Sequence, residues 1–172
     1  NLRMLTKIEL TEPLSAKNPT SGNILFKINQ NKITGTFDFK DDQVVIKQAN
    51  LRNNFLDGKL SGVLKFLPFF TFNLDTNLNS INFNRLHSSL VGLSDENRKN
   101  LFRVNNKING KLNITANKVF SKHTLVDSFE SRIQFINGDI FFDQLLFNLK
   151  KLGAADVIGV IKNDKKFSNF KF

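Results

Sequence analysis

The chain has 172 residues, of which 40% are hydrophobic, and a formal net charge of +10. This length suffices for one domain, and the hydrophobic content excludes a disordered tail. The absence of cysteine excludes a disulfide framework and thiolate metal sites. Lysines are scattered along the chain, which is typical of solvent-facing strand positions, and attraction to anionic membranes or nucleic acid is left open.

Alternation of apolar and polar residues predicts a series of β-strands in the first half of the chain. Successive apolar sets are Met4, Ile8 and Leu10, then Ile24, Phe26 and Ile28, then Ile33, Gly35, Phe37 and Phe39. Turns are predicted at 29–32, at Asp41-Asp42 and at Asn53-Asn54. Between residues 44 and 51 the apolar phase slips by one position, which predicts a β-bulge.

The segment 84–104 departs from this alternation. Leu90 and Leu93 fall near helical spacing, Ser94 is a suitable N-cap, and Asp95 and Glu96 would occupy the first turn. This pattern predicts one short helix over residues 94–103.

Alternation resumes after this helix and continues to the end of the chain. "ITGTFDF" at Ile33 is echoed by "INGKLNI" at Ile108, and "SGVLK" at Ser61 is echoed by "IGVIK" at Ile158. The echo predicts two degenerate β-repeats, at 24–86 and 107–162, within a single β-rich module spanning 1–172. We therefore expect a mainly β fold, an antiparallel meander that forms a curved, twisted sheet with an open groove or half-barrel shape.

No arrangement of residues predicts catalysis or metal binding. His87 and His123 are the only histidines, and neither has a second histidine or a carboxylate at ligand spacing. Nucleophile-elbow, phosphate-loop and dinucleotide-binding patterns are also absent. We predict that the chain is not an enzyme and carries no cofactor or metal.

Nucleic-acid binding is the least favoured interpretation of the positive charge. Single-strand binders place basic side chains around exposed aromatic rings. Here Phe37 and Phe66 share a strand face with leucine, isoleucine and glycine, whereas Lys59 and Lys65 belong to the opposite face. We therefore predict no nucleic-acid partner.

An apolar strand face must be covered, either by a second sheet or by a ligand. On this face, glycines at Gly35, Gly58, Gly62, Gly110 and Gly159 either leave room for something to approach or only mark bulges and coil the sheet. If the face is a lipid groove, its predicted lining is Phe37, Phe39, Leu60, Leu64, Phe66, Phe72, Leu74, Leu112, Ile114, Phe147, Val157 and Ile161. The same residues would form the core of an ordinary sandwich.

Residues 33–86 resemble the C-terminal region of AsmA-like proteins. The matching elements are a strand with Gly35, a second strand with Leu51, a third with Asp57-Gly58 and Gly62, and a fourth with Ile81, Phe83 and Leu86. The segment from "INGKLNITANKV" to "LLFNLKKLGAADVIGVIK" is similar to the next repeat of that family, with Gly110, Leu145, Gly153 and Gly159 at corresponding places.

This resemblance implies a non-catalytic periplasmic module of a larger protein tethered to the inner membrane through a segment outside this chain. It further implies a role in outer-membrane biogenesis and in phospholipid transport or binding along an apolar concave sheet face, with phospholipid or another acyl-chain lipid as the partner. The alternative is a structural or scaffold β-domain of the cell envelope with a closed core and no ligand.

Overall fold

The computed structural model describes residues 4–11, 20–100, 102–122, 124–163 and 167–171. Most of them belong to strands: β1 Met4–Leu10, β2 Thr20–Ile28, β3 Asn31–Lys40, β4 Gln43–Arg52, β5 Leu56–Lys65, β6 Thr71–Asn82, β7 Asn109–Ala116, β8 Val119–Phe120, β9 Ser128–Ile136, β10 Asp139–Asn148, β11 Ala154–Lys162 and β12 Phe167–Lys171. Their alternating sequences explain this content, because an alternating strand has one apolar and one polar side.

These strands form one open sheet in the order β1-β2-β3-β4-β5-β6-β7-β9-β10-β11-β12, with β8 paired to the end of β6. All neighbours on this path are antiparallel except β6 and β7, which run parallel. The predicted mainly β meander is confirmed, and the sheet does not close into a barrel.

Tight turns connect several of the antiparallel pairs. Asp41 and Asp42 have φ values of 51° and 60°, and Asn137 and Gly138 have values of 51° and 89°. Positive φ at both central residues is the signature of the type I′ turn, whose twist matches that of the flanking strands. The turn predicted at Asp41-Asp42 is therefore confirmed, and its geometry fixes the register of β3 on β4.

The predicted bulge in the fourth strand is also confirmed. The pairing of β4 with β5 shifts register between Ile46 and Ala49, and that of β3 with β4 shifts between Thr36 and Phe37. The shift returns Ala49 and Leu51 to the side of the sheet that carries Val44 and Ile46. The β-bulge therefore accounts for the slip in the apolar phase of the sequence.

Two helices connect β6 to β7, where only one was predicted. The second, α2 (Asp95–Asn100), lies within the predicted 94–103, and the Asn97 amide donates to the Ser94 hydroxyl at 3.3 Å. The longer helix α1 (Phe83–Val91) was missed: it begins at Asn82, whose side chain accepts from the Arg85 amide at 3.0 Å. Among the described residues, the search for a helix long and apolar enough to cross a membrane finds none.

The parallel pair of β6 and β7 joins two antiparallel runs of strands. Thr71 lies opposite Asn109, and Leu78 lies opposite Ala116. The connection through α1 and α2 supplies the long crossover that a parallel pair requires. This joint falls between the two repeats predicted at 24–86 and 107–162.

The best-buried apolar cluster lies where α1 meets the sheet. Leu78, Ile81, Ala116 and Val119 are each no more than 7% exposed. Residues packed around them are Leu56, Phe83, Leu86, Ile114, Val126 and Phe129. One end of the sheet therefore has a conventional core.

Candidate functional site

The two sides of the sheet differ completely in charge. Cross-strand registers place five apolar residues on the same side of the sheet: Phe37, Leu60, Leu74, Leu112 and Val157. We call this side the apolar face, and it includes every strand position in register with these five residues. Within β1 to β11, no Asp, Glu, Lys or Arg occupies a register position of this face. A surface of this extent without a charge is unusual for a strand layer that faces water.

The charged residues lie on the opposite side, the polar face, even where a bulge disturbs the alternation. Lys47, the extra residue of the β4 bulge, forms an ion pair with Asp38 at 2.8 Å. The Gln134 amide donates to Asp143, which lies in the bulge of β10. The bulges thus preserve the separation of charge instead of breaking it.

The predicted lining residues meet on the apolar face. All except Phe66 lie on strands of this face, and Phe66 follows the last residue of β5 with its ring against Phe70. The registers pair Leu64 with Phe72, Leu74 with Leu112, and Leu145 with Val157. The lining residues from β3, β5, β6, β7, β10 and β11 are Phe37, Phe39, Leu60, Leu64, Phe72, Leu74, Leu112, Ile114, Phe147, Val157 and Ile161.

Exposure distinguishes this face from the interior of a sandwich. Most of the predicted lining residues are half-buried, whereas Phe39 is 38% and Phe66 is 45% exposed. The accessible surface of the chain is 12005 Å². A compact protein of 19.6 kDa exposes only about 8,600 Å². Together with the half-buried side chains, this large area indicates that the described residues do not fully cover the apolar face.

An aromatic path enters the apolar face from one end of the sheet. The Phe66 ring lies 5.8 Å from Phe70, Phe70 lies 6.2 Å from Phe72, and Phe72 lies 5.3 Å from Phe135, between ring centroids. These spacings are those of attractive tilted ring pairs. Phe72 is the second residue of β6 and Phe135 the last but one of β9, so the path runs from the loop after β5 across the strands along this end of the sheet.

The other end of the apolar face is covered by α1. The Phe83 ring lies 5.9 Å from Phe129 and 6.4 Å from Phe147, and Phe129 and Phe147 are 5.0 Å apart. Leu86 of α1 joins the buried cluster on the same side. The apolar face therefore has one covered end and one end without such a lid in the described part of the chain.

The glycines of the apolar face serve the sheet and not a ligand. A Cβ atom at Gly35 would lie 2.6 Å from the Ala49 Cα, and one at Gly58 would lie 2.6 Å from the Leu78 Cα. Neighbouring strands ordinarily keep their Cβ atoms about 4.5 to 5.5 Å apart. Of the two alternatives for these glycines, the contacts at Gly35 and Gly58 favour a role within the sheet, because the adjacent strand occupies the space of the missing side chain.

Sequence reasoning missed the helix that covers one end of the face. Phe83 and Leu86 were assigned to a strand, although Asn82 before them and Leu90 after them complete a capped helix with i, i+3 and i+4 apolar spacing. The N-cap asparagine was the signal that could have identified the helix start.

The polar face carries shallow depressions and paired charges. One depression, of about 450 Å³, is lined by residues that include Lys47, Lys59, Asp75, Asn77 and Asn113. The Asn113 side chain donates to Asp75 at 2.8 Å, so these polar groups satisfy one another. Lys59 lies on this face, away from the phenylalanines, as the sequence predicted.

Two carboxylates of the described residues are engaged in structural contacts. Hydrogen bonds from Lys47 and Ser21 lower the pKa of Asp38, and a hydrogen bond from Lys162 lowers the pKa of Asp139. Among the described residues no group of three or more His, Cys, Asp or Glu side chains is arranged to hold a metal ion. His87 is exposed on α1, and His123 lies outside the described residues.

Comparison with protein-family models, with curated proteins and with solved structures finds no match to this chain.

Proposed function

We propose that this chain is a non-catalytic module that holds acyl-chain lipids against its apolar face. The observation that carries the proposal is the absence of charge on that face across β1 to β11, combined with the half-exposure of the lining residues. An acyl chain has no polar group to recognise, so shape and apolar area are sufficient to bind it. Each methylene removed from water contributes about 0.8 kcal/mol.

The cellular setting is proposed from the resemblance to AsmA-like proteins. The strand pattern around Gly35, Gly58 and Gly110 suggests a periplasmic module of a protein tethered to the inner membrane. In that setting the bound lipid would be phospholipid, and the process would be outer-membrane biogenesis or phospholipid transport. The half-exposed apolar side chains on the face that carries these glycines support lipid binding of this kind.

A scaffold module is the second candidate, and a specific observation favours it. The cluster of Leu78, Ile81, Ala116 and Val119 beneath α1 is packed as an ordinary core. If such packing accounted for the whole apolar face, the face would need no lipid. The two candidates differ in whether the uncovered part of the face binds acyl chains.

Native mass spectrometry of the chain purified from a bacterial periplasm, followed by solvent extraction, separates the two candidates. The matched variants are Leu60→Asp and Ser61→Asp, which place the same charge on consecutive residues of β5 but on opposite faces. We expect co-purifying phospholipid in the wild type and in Ser61→Asp, and its loss in Leu60→Asp. A folded wild-type protein without lipid would contradict the proposal and favour the scaffold.

A second measurement covers the case in which Leu60→Asp does not fold. The chain has no tryptophan, so a single introduced tryptophan reports its own surroundings. We expect the emission of Leu112→Trp to shift to shorter wavelength and to be quenched by phospholipid brominated in its acyl chains. Lys111→Trp, one residue away on the polar face, is the control and should not respond. Equal responses at both positions would contradict binding on the apolar face.

A further inference from the structure

The loop of residues 66–70, which joins β5 to β6, concentrates large apolar side chains at one end of the sheet. Phe66 is 45% exposed, Leu67 is 57% exposed and Phe69 is 62% exposed. Exposure of adjacent apolar side chains to water is unfavourable unless another surface covers them. Their exposure makes them accessible to an apolar surface at this end of the sheet.

This loop is the outer end of the aromatic path into the apolar face. Phe66 and Phe70 contact each other, and Phe70 continues to Phe72 on β6. The opposite end of the face is covered by Phe83 and Leu86 of α1. The 66–70 loop is therefore joined by ring contacts to the apolar face at the end that α1 does not cover.

The charges around the loop are close to balanced. Lys65 precedes it, and the Phe66 amide donates to the Asp42 carbonyl at 3.0 Å, which brings the Asp41-Asp42 turn and Lys40 beside it. The Asn109 amide, two residues after Lys107, donates to the Phe70 carbonyl at 3.3 Å, so a third lysine lies near the loop. The net charge of +10 on the whole chain complements a bilayer with anionic lipid.

We propose that the 66–70 loop inserts into the surface of an anionic phospholipid bilayer and forms the membrane-facing mouth of the apolar face. The proposal rests on the proposed function, because the mouth has a purpose only if the face accepts lipid. Exposed phenylalanine and leucine at the tip would enter the boundary between headgroups and acyl chains, as the apolar side of an interfacial segment does. Lys65 would remain at headgroup level.

Single-tryptophan variants test this insertion with vesicles of phosphatidylcholine, with and without phosphatidylglycerol. Phe69→Trp places the probe on the loop, and Phe120→Trp places it on an exposed residue at the opposite end of the sheet. We expect vesicles to shift Phe69→Trp emission to shorter wavelength, more strongly with phosphatidylglycerol, and brominated acyl chains to quench it. Phe120→Trp should not respond. No response at Phe69→Trp, or an equal one at Phe120→Trp, would overturn the proposal.

A second copy of the chain is the competing occupant of the loop. In that case Phe69→Trp emission would already be shifted without vesicles, in step with protein concentration and dimer formation in sedimentation. This result would overturn the proposal and assign the loop to self-association.

A separate pair of variants distinguishes failure of this proposal from failure of lipid binding. The double variant Leu67→Ser, Phe69→Ser should partition to vesicles at least about tenfold more weakly, yet retain phospholipid delivered from detergent micelles. Leu60→Asp should show the reverse. Unchanged vesicle binding by the loop variant would overturn the loop proposal, whatever lipid the apolar face retains.

Discussion

The ring of Phe83, the first residue of α1, lies edge-on against Phe129 of β9, with centroids 5.9 Å apart. This contact ties the crossover between β6 and β7 to a strand of the second half of the sheet. The helix therefore does more than connect strands, because it covers the end of the apolar face that would otherwise face water.

We expect Phe83→Ala to lower the free energy of unfolding by about 2 kcal/mol, less than a fully buried phenylalanine because Phe83 is half-buried. The matched control is Val91→Ala on the same helix, where the side chain is 56% exposed. That change should cost less than about 0.5 kcal/mol. Urea denaturation followed by circular dichroism measures both; equal costs would mean that α1 is not docked through Phe83.

Gly58 tests whether the close approach of β5 and β6 depends on glycine. A Cβ atom there would meet the Leu78 Cα at 2.6 Å, so Gly58→Ala should destabilise the fold by about 3 kcal/mol through overpacking. Gly92→Ala is the control, because its Cβ would lie 3.3 Å from the Ser88 carbonyl oxygen and its φ is −72°. A Gly58→Ala protein as stable as Gly92→Ala would show that β5 and β6 are not so closely apposed.

Much of the strand content followed from alternation alone, because the two faces of this sheet differ so sharply. Lys59 and Leu60 could be assigned to opposite faces without coordinates, and the slip near Ala49 identified the bulge in β4. The pairing of strands could not be assigned in the same way. The parallel pairing of β6 with β7 depends on the crossover through α1. The sequence of α1 does not indicate which strand β7 will pair with.

The apolar residues at the start of α1 fit both the spacing of a strand and the spacing of a helix. Ile81 and Phe83 are two residues apart, which continues the alternation of β6, yet Phe83 and Leu86 are also three apart, as a helical face requires. Asn82 decides between these patterns by capping the helix. For the candidate site, sequence predicted which side chains share a face but not which end of that face is covered.

Ser131 is a polar residue on the apolar face, and it is 2% exposed. Among the described residues its hydroxyl has no hydrogen-bond partner, and it lies in register with Ile114 and Leu145. An unsatisfied buried hydroxyl costs free energy, so Ser131→Ala should leave the stability unchanged or raise it by about 1 kcal/mol.

The control for this change is Ser21→Ala. The Ser21 hydroxyl donates to Asp38 at 2.6 Å, so its loss should cost about 1 kcal/mol or more. Thermal and urea unfolding of the two variants compare an unsatisfied with a satisfied hydroxyl. A destabilisation of Ser131→Ala equal to that of Ser21→Ala would mean that a bound water or ligand satisfies Ser131.

The ion pair of Lys162 and Asp139 predicts a defined acid dependence of stability. The Lys162 ammonium donates to Asp139 at 2.7 Å, the Asn163 amide donates at 3.1 Å, and these bonds lower the pKa of Asp139 from its usual 3.8. A carboxyl with a lowered folded-state pKa stabilises the fold fully above the unfolded-state pKa, and this contribution disappears as the pH falls through the folded-state value. Asp139→Asn should therefore reduce stability at neutral pH, and its difference from the wild type should shrink as the pH falls through the folded-state pKa of Asp139. Urea unfolding across this pH range measures the difference, with Asp156→Asn on the adjacent strand as the control; a deficit in Asp139→Asn that persists undiminished in acid would contradict a charge-dependent role.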